Sequence, residues 1–367
     1  MSKDYQVRDI NLAEEGQQKI EWVSGWMPVL NSLYKKFSSE NNFKNKKVAL
    51  CIHLEAKTAY LALTIQKLGA EVWITGSNPL STKDEIAAAL AKQGVHVFAK
   101  HAAAPEEYHS FIKSIVENNM DVIVDDGGDV CEFLQENPRY GVNLKGICEE
   151  TTTGVNRLKE LASTGKLLYP AIAVNDAKSK HLFDNRYGTG QSTWTAITHL
   201  TNLNVAGKTV VVAGYGWVGR GVAARAHGMG AEVIVTEIDP WKALEARMDG
   251  FRVMPMMKAA GEGDFFITTT GLSGVITTAH IQKMRSGAML SNAGHFDFEI
   301  GGGIINIAGG LGHPVDIMDM SFSVQLGCIN YFLSSEKQAP AVYRVPPEID
   351  ELVTREKLKV ERIEIDS

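Results

Sequence analysis

The sequence predicts an α/β protein with two parallel-sheet domains, and two observations support this prediction. From Lys47 to Val174, short apolar runs alternate with segments whose apolar residues recur every three or four positions. This alternation is typical of a parallel sheet covered by helices. From Gly207 a second set of such runs begins with TVVVAG, which passes through a glycine-rich turn into a helical segment. The chain has 367 residues, enough for two domains that each bury a core.

The elements follow in order along the chain. The N-terminal segment INLAEEGQQKIEWVSGWMPVLNSLYKKF is predicted to be helix packed outside the first sheet. The strands of that sheet are predicted at KVALCIH, AEVWITG, VHVFAK, DVIVDD and LYPAIAV, with helices at KTAYLALTIQKLG, TKDEIAAALAKQG, PEEYHSFIKSIVENN and GVNRLKELASTG. In the second domain TVVVAG precedes the strands EVIVTE, DFFITTTG and AMLSNAG. The run DIMDMSFSVQLGCINYFL predicts a helix that packs on one of the two domains, because the last piece is too short to fold alone.

Composition excludes several classes of protein. A net charge of -6 argues against nucleic-acid binding, which needs a basic face. No apolar run approaches the ~20 residues of a membrane span, and the polar N-terminus lacks the apolar core of a secretory signal. The histidines lack zinc-site spacing, so no metal is expected. The four cysteines are Cys51, Cys131, Cys148 and Cys328, and they include no CxxC pair. They are expected to be reduced, buried thiols of a cytoplasmic protein.

A glycine motif opens the second domain. Gly214, Gly216 and Gly219 form G-x-G-x-x-G between a predicted strand and a predicted helix. In dinucleotide-binding folds these glycines allow a tight turn, close approach of the pyrophosphate and close helix packing. Glu237 ends the next strand, where a carboxylate accepts hydrogen bonds from the ribose and repels a 2′-phosphate. The motif therefore predicts NAD rather than NADP, and the alternative is a sharp turn without a ligand.

Three polar clusters accompany the predicted NAD site. NDAKSKHLFDNRYGTGQS contains Lys180, Asp184 and Asn185, while VDDGGD and CEETTTG place acids and hydroxyls at the carboxyl ends of predicted strands. That edge is the usual binding edge of an open α/β sheet. The alternative is that such residues are helix N-caps, as Thr151 to Thr153 are well suited to be. Three clusters beside one NAD site favour a binding role.

The chain resembles the S-adenosylhomocysteine hydrolase family, and the resemblance covers nearly its whole length. It rests on seven motifs in order: DDGGD, EETTTG, VNDAKSKHLFDNRYG, VAGYGWVGRG, TEIDP, NAGHFD and GHPVDIMDMSF. The resemblance implies a substrate domain at residues 1–188, an inserted Rossmann NAD-binding domain at 189–311, and a return to the substrate domain with a C-terminal tail at 312–367. It also implies a cytoplasmic homo-oligomer, a dimer or tetramer, that acts in the methyl cycle of one-carbon metabolism.

The resemblance implies a reaction in which a redox change is made and then reversed. Family members use tightly held NAD+ to oxidise the 3′-hydroxyl of the substrate ribose. The resulting ketone acidifies the hydrogen at C4′, so homocysteine leaves from C5′ by elimination. Water adds across the double bond, and the NADH formed earlier reduces the ketone. The net reaction is reversible hydrolysis of a thioether.

The resemblance also assigns residues. Lys180 is implied to remove the 3′-hydroxyl proton, Asp184 to act near C3′ and C4′, and Glu150 to hold the ribose hydroxyls. His53 and Asp126 are implied to handle protons at C4′, at sulfur and at the attacking water. The full set of catalytic candidates is His53, Asp126, Glu150, Lys180, Asp184, Asn185 and His295. The cofactor-binding candidates are Gly214, Gly216, Trp217, Val218, Gly219, Glu237, Thr269, Asn292 and Asn306. The substrate-binding candidates are Glu55, Lys57, Thr151, His313, Met318 and Phe322.

The sequence departs from the family pattern in three places. After GHFDFEI the family continues with a further segment, whereas here Gly301-Gly302-Gly303 leads directly into IINIAGG. The sequence ends at KVERIEIDS, without the Lys and Tyr that family members extend to a neighbouring subunit's NAD. Thr189 stands where many members have a cysteine, a change expected to cost little.

A fourth difference concerns the purine base. After His53 come Glu55 and Lys57, where many members have threonine and a carboxylate or amide. Lys57 can only donate and ionised Glu55 can only accept hydrogen bonds, which matches the O6 and N1–H of hypoxanthine better than adenine. The alternative is a Glu–Lys surface pair at a helix start that says nothing about substrate.

Three functions are compatible with the sequence at this point. The first is hydrolysis of S-adenosyl- or S-inosyl-homocysteine. The second is a simple NAD-dependent dehydrogenase that releases NADH in proportion to product. The third is an NAD-binding, catalytically weakened relative with a regulatory or other nucleoside-oxidising role. The presence of the following six residues argues against the third: His53, Asp126, Glu150, Lys180, Asp184 and Asn185.

Overall fold

The structure, a computed structural model, describes residues 4–294 and 305–366. The chain divides into two compact units, one formed by Met1–Lys180 with Met318–Ser367 and the other by His181–Ile317. Each unit contains a parallel sheet covered by helices. The predicted α/β class with two parallel sheets is therefore confirmed. No helix in the described ranges is both long and apolar enough to cross a membrane.

The described residues form the following strands and helices. The strands are β1 Lys47–Cys51, β2 Glu71–Thr75, β3 His96–Val97, β4 Val122–Asp125, β5 Gly146–Glu149, β6 Ala171–Ala173, β7 Thr209–Ala213, β8 Glu232–Thr236, β9 Arg252–Val253, β10 Phe265–Thr268, β11 Met289–Asn292 and β12 Val342–Arg344. The helices are α1 Ala13–Ser24, α2 Pro28–Phe37, α3 Ala56–Lys67, α4 Asp84–Lys92, α5 Pro105–Val116, α6 Asp129–Glu136, α7 Thr152–Ser163, α8 Lys178–Lys180, α9 Thr189–Thr201, α10 Trp217–Gly228, α11 Pro240–Met248, α12 Met256–Ala259, α13 Thr278–Ile281, α14 Ile305–Ala308, α15 Val315–Ser334 and α16 Pro347–Val360. A π-helix, His181–Gly188, lies between α8 and α9.

The first unit contains a seven-stranded sheet in the order β12-β6-β5-β4-β1-β2-β3. The chain moves outward from β1 to β2 and β3, then returns to place β4 on the other side of β1. This reversal makes the carboxyl ends of β1 and β4 the topological switch point, where ligands of open α/β sheets bind.

The second unit contains a five-stranded sheet in the order β11-β10-β7-β8-β9. Its reversal lies between β7 and β10, which are paired in parallel. The central strand β7 is buried from Val210 to Ala213, as expected for a strand covered on both faces. The glycine turn that follows β7 therefore lies at the switch point of this sheet.

The sequence analysis missed elements at the ends of the chain and inside the first sheet. The N-terminal helical segment is two helices, because Pro28 opens α2 at its first position, where a missing N–H costs nothing. The carboxylate of Asp319 on α15 accepts hydrogen bonds from the backbone N–H groups of Val29 and Leu30, at 2.9 and 2.8 Å, and so caps α2. Strands β5 and β12 and helix α16 are also additional to the predicted set. The predicted helix DIMDMSFSVQLGCINYFL is confirmed as α15, whose residues from Met318 onward belong to the first unit.

Candidate active site

His53 and Asp126 meet at the switch point of the first sheet. His53 lies just beyond β1 and Asp126 directly follows β4, and these strands are neighbours in the sheet. The distance from Nε2 of His53 to Oδ2 of Asp126 is 3.7 Å. Oδ1 of Asp126 is buried and accepts no hydrogen bond from the described residues. The structure thus brings these two sequence-predicted residues together and leaves a buried acceptor beside them.

The ring of His53 lies between Ser81 and Asp126. Its Nδ1 is 2.6 Å from the Oγ of Ser81, which also lies 2.9 Å from the carbonyl oxygen of Asn78. Its Nε2 faces the carboxylate of Asp126. An imidazole with a hydroxyl at one nitrogen and a carboxylate at the other can take up a proton and release it.

Glu150 and Lys180 form a buried ion pair in the same unit. Nζ of Lys180 is 3.3 Å from Oε1 of Glu150, and their side chains are 6% and 7% exposed. Glu150 directly follows β5, and Lys180 ends the short helix that begins after β6. The side-chain amide of Gln325, on α15, donates to Oε2 of Glu150. A lysine kept from solvent beside a carboxylate has the arrangement of a proton-transfer group.

In the second unit, Asp184 contacts one residue that is distant in sequence, His313, which in turn contacts Thr189. Its carboxylate pairs with Nδ1 of His313, and Nε2 of His313 is 3.2 Å from the hydroxyl of Thr189. Asp184 and Asn185 are buried and lie in the π-helix, a rare conformation that is frequent at functional sites. The structure therefore links His313 and Thr189 to the predicted catalytic residue Asp184.

The glycine turn of the second unit fits a dinucleotide. Gly214 has a left-handed φ of +103°, and a Cβ on Gly219 would collide with the Gly214 carbonyl. A Cβ on Gly216 would meet nothing, so this glycine leaves open space at the N-terminus of α10. No side chain of the described residues caps that helix, and its first N–H groups remain available to a phosphate. Glu237 directly follows β8, as predicted, and its Oε2 accepts the N–H of Tyr215 at 2.7 Å.

The other predicted cofactor residues differ in what their side chains do. The hydroxyl of Thr269 donates to the Ala213 carbonyl at 2.9 Å, and the amide of Asn292 holds the backbone of Gly294. Asn306 is buried, with Nδ2 donating to the hydroxyl of Ser192 and Oδ1 without a hydrogen bond in the described part of the chain. An orphaned buried oxygen of this kind is suited to a ligand amide. The remaining two, Trp217 and Val218, open α10; the Trp217 ring lies 5.0 Å from that of His181, and Val218 packs against the core.

The structure corrects one alternative proposed for Glu55 and Lys57. Their side chains are 13% and 8% exposed, so the alternative of a surface pair is wrong. Oε2 of Glu55 accepts the Lys57 backbone N–H at 3.0 Å, which caps α3, and is 2.8 Å from Nζ of Lys57. The pair is buried because α3 packs its first turn into the unit.

The remaining predicted residues have mixed positions. Thr151 caps α7 by accepting the N–H of Gly154 at 3.0 Å, as the N-cap alternative for this segment proposed. Met318 and Phe322 are buried on α15. His295 and the triglycine segment lie outside the described residues.

Three supporting residues were missed by the sequence analysis. Ser77 donates to Oδ2 of Asp126 at 3.4 Å, Ser81 orients His53, and Gln325 contacts Glu150. Gln325 is one of several buried polar residues of α15, with Asp319, Ser321 and Ser323, so the sequence did not single it out. The two serines lie between β2 and α4, in a connection whose composition is ordinary.

Comparisons with known proteins agree with this geometry. A family model described as "S-adenosyl-L-homocysteine hydrolase" matches residues 4–143, and one described as "S-adenosyl-L-homocysteine hydrolase, NAD binding domain" matches residues 185–311. The S-inosyl-L-homocysteine hydrolase of Methanocaldococcus jannaschii is 50% identical, with 99% of this chain and 96% of the relative covered. The adenosylhomocysteinase of Thermotoga maritima is 49% identical, with 96% of each covered.

Two further findings complete the comparison. The M. jannaschii alignment runs over 398 positions although this chain has 367 residues, so that relative has positions without a counterpart here. Among solved structures, a dipicolinate synthase chain from Bacillus halodurans matches with a TM-score of 0.52 at 14% identity, covering 80% of this chain and all of the other, which shows a shared fold alone.

The buried polar clusters follow strands of the first sheet, and the glycine turn of the second sheet fits NAD, which is the cofactor of the matched domain. Relatives of about half identical sequence cover nearly the entire chain. On this evidence the chain belongs to the S-adenosyl-L-homocysteine hydrolase family.

Proposed function

We propose that this protein reversibly hydrolyses the thioether of S-adenosyl-L-homocysteine or S-inosyl-L-homocysteine to the nucleoside and L-homocysteine, with NAD as catalytic cofactor. Relatives named for each of these two hydrolases are almost equally similar to the chain. The observation that carries the proposal is the buried Lys180–Glu150 pair in a chain of this family. Residues 1–188 and 312–367 would serve the substrate and residues 189–311 the cofactor.

NAD, when bound, supplies a reversible hydride acceptor for C3′ of the substrate ribose. The chain's residues supply the binding and the proton transfers. Lys180 holds the proton of the 3′-hydroxyl, and Glu150, fixed by Gln325, accepts hydrogen bonds from the ribose hydroxyls. Asp184 and Asn185 act on the same region of the sugar. His53 and Asp126, with Ser81 against the His53 ring, would take the proton from C4′, give a proton to the leaving sulfur and handle the protons of the attacking water.

The cofactor would be held by the turn and strand ends of the second unit. The N–H groups at the start of α10, which include those of Trp217 and Val218, would face the pyrophosphate. Glu237 would accept the adenosine ribose hydroxyls, and Asn306 would contact the carboxamide through its orphaned Oδ1. Thr269 and Asn292 would shape the neighbouring loops, and His295 would lie near the nicotinamide.

For the base, we propose that Lys57 faces the 6-position of the purine. A lysine can only donate hydrogen bonds and an ionised carboxylate can only accept them. The purine that fits is therefore decided by which of the two side chains faces its 6-position. Lys57 there donates to O6 of hypoxanthine, and Glu55 accepts from N1–H. The burial of both side chains supports this role, because water cannot easily replace either group. Thr151, His313, Met318 and Phe322 would complete the substrate site.

The proposed assembly is a homo-oligomer, a dimer or tetramer, in the cytoplasm. Large exposed aromatic side chains support an interface, since Trp22 is 61% and Trp241 80% exposed. The four buried, unpaired cysteines support a reducing compartment. Sedimentation velocity at several concentrations measures the assembly, and a monomer throughout would contradict the oligomer.

The decisive experiment is Lys180→Met, with Lys178→Met as the matched control. Lys178 is exposed and lies two positions away on the same short helix. Removing a general base should lower kcat for homocysteine release by about 10²–10⁴-fold. The control should retain activity, and both variants should keep their bound NAD. Equal rates for the two variants would remove Lys180 from the mechanism.

The same assay separates the hydrolase from a simple dehydrogenase. A hydrolase releases homocysteine with no net NADH, because the hydride returns to the product. A dehydrogenase forms NADH in proportion to product. Following the thiol and the NADH absorbance together therefore tests the proposed reaction directly.

A further inference from the structure

Two fully buried carboxyl groups lie beside the candidate site and have no role in the reaction proposed above. Asp125 and Glu149 are both 0% exposed. They end β4 and β5 and are paired directly across the two parallel strands. Their side chains therefore leave the same face of the sheet from backbones about 4.8 Å apart.

Asp125 accepts hydrogen bonds at both oxygens. Oδ1 accepts the backbone N–H of Asp126 at 3.1 Å, and Oδ2 accepts that of Cys131, in the first turn of α6, at 2.9 Å. A carboxyl group whose two oxygens both face N–H donors is stabilised in its ionised form. A proton on either oxygen of Asp125 would face the backbone N–H that donates to that oxygen.

Glu149 has the opposite arrangement. Its Oε1 accepts three hydrogen bonds, from the N–H of Gly127 and from the N–H and hydroxyl of Thr151, each at 2.9 Å. Its Oε2 is buried and has no hydrogen-bond partner among the described residues. An ionised Glu149 would leave a charged oxygen without any partner in the protein interior, which is strongly unfavourable. A proton on Oε2 removes that charge.

Acidic groups lie close to the pair. The Arg157 guanidinium contacts Oδ1 of Asp129, at 3.1 Å, and the Gly127 carbonyl. The acids Asp126 and Asp129 act on the pair, and the thiols of Cys51 and Cys131 interact electrostatically with Asp125. Tyr108 of α5 hydrogen-bonds to Asp129.

Burial is the largest influence on both groups. It raises the pKa of Asp125 to about 7, opposed by the Cys131 N–H. Burial and then the charge of Asp125 raise the pKa of Glu149 well above its ordinary value. The direction agrees with the hydrogen bonds, since Glu149 is the group that is better suited to keep a proton.

We propose that Asp125 and Glu149 carry one proton between them, on Glu149, and that this half-ionised pair positions the two loops that present Asp126 and Glu150. Asp125 fixes the N–H of Asp126, and Glu149 holds Gly127 and Thr151, the residues that follow Asp126 and Glu150. The roles of Asp126 and Glu150 rest on the proposed function, whereas the proton is a property of the first unit alone. Asp125 and Glu149 are positioning residues, since no step of the reaction involves them.

Infrared spectroscopy of the NAD-loaded protein tests the location of the proton. At pH 8 the wild type should show the carbonyl stretch of a protonated carboxylic acid, and Glu149→Gln should abolish it. The matched control is Glu117→Gln, because Glu117 is exposed in the same unit, and this variant should keep the band. Absence of the band in the wild type, or its survival in Glu149→Gln, would overturn the proposal.

The pH dependence of unfolding gives a second readout. A group whose pKa is raised in the folded state stabilises the fold at low pH, and this stabilisation is lost as pH rises towards the folded pKa. At pH values between the ordinary pKa of glutamate and the pKa of Glu149 in the folded protein, the unfolding constant of the wild type should therefore rise with pH. The rise should be about tenfold per pH unit relative to the unfolding constant of Glu149→Gln. Parallel curves for the two proteins would refute the assignment.

Kinetics test the positioning role. Glu149→Ala removes the acceptor that holds both loops and should lower kcat at least tenfold, whereas Glu149→Gln retains an acceptor oxygen and should recover most of the loss. Equal losses in the two variants would refute positioning through Oε1. A protein that shows the carboxylic-acid band yet hydrolyses neither thioether would support the shared proton and overturn the proposed function.

Discussion

Exchanging the chemistry of Glu55 and Lys57 should reverse the preference between the S-inosyl and S-adenosyl thioethers. The double change Glu55→Thr with Lys57→Glu replaces the donor proposed to face position 6 with an acceptor. The parent side chains are 13% and 8% exposed, and a site that pairs buried groups discriminates by up to ~10⁴ in kcat/KM. The parent should therefore prefer S-inosyl-homocysteine, and the double variant should prefer the adenosyl compound.

Both substrates are assayed with both proteins by homocysteine release. A parent that prefers the adenosyl compound, together with a double variant that leaves this preference unchanged, would refute the role of the pair in base recognition. Equal kcat/KM values for all four combinations would have the same meaning.

The stability of single variants shows whether the pair behaves as a buried one. Lys57→Met leaves the Glu55 carboxylate buried without its cation, and breaking such a pair costs about 3–5 kcal/mol, reduced by ~1 kcal/mol because the helix N-terminus still stabilises the charge. The matched control is Lys159→Met, since Lys159 and Asp176 are 54% and 40% exposed at 3.0 Å, and its cost should stay below about 1 kcal/mol. Urea unfolding measures both, and an equally small effect of the two changes would refute the burial argument.

Three further outcomes are expected. Ser81→Ala removes the hydroxyl that contacts Nδ1 of His53 and should lower kcat about tenfold or more, with a shifted pH profile, whereas an unchanged profile would remove Ser81 from the mechanism. Denaturing the purified protein should release NAD+ or NADH, and recovery of NADP would contradict the role of Glu237. A thiol reagent should react slowly with the native protein, because burial raises the pKa of the thiols of Cys51, Cys131, Cys148 and Cys328. Rapid reaction before unfolding would contradict the burial of these thiols.

The sequence by itself determined the fold class, the strand–turn–helix NAD motif and the family. These features are local, because hydrophobic periodicity, a glycine turn and short motifs are written in consecutive residues. The strand TVVVAG, the helix that opens at Trp217 and the acid that follows β8 were predicted correctly for this reason. The same local reasoning missed β5, whose run GIC is too short to show a period.

Only the tertiary structure decided which side chains meet and which are buried. Glu150 contacts Gln325 across 175 positions of sequence, and Asp184 contacts His313 across 129. Such pairs depend on how helices pack on a sheet, which no short window of sequence specifies. Glu55 and Lys57 show the same limit, because a charged pair at a helix start is normally exposed and only packing of the first turn of α3 buries it. The protonated state proposed for Glu149 likewise follows from the burial of its side chain and from its one oxygen without a hydrogen bond among the described residues. The sequence shows only that Glu149 precedes Glu150, and this predicts neither the burial nor the missing hydrogen bond.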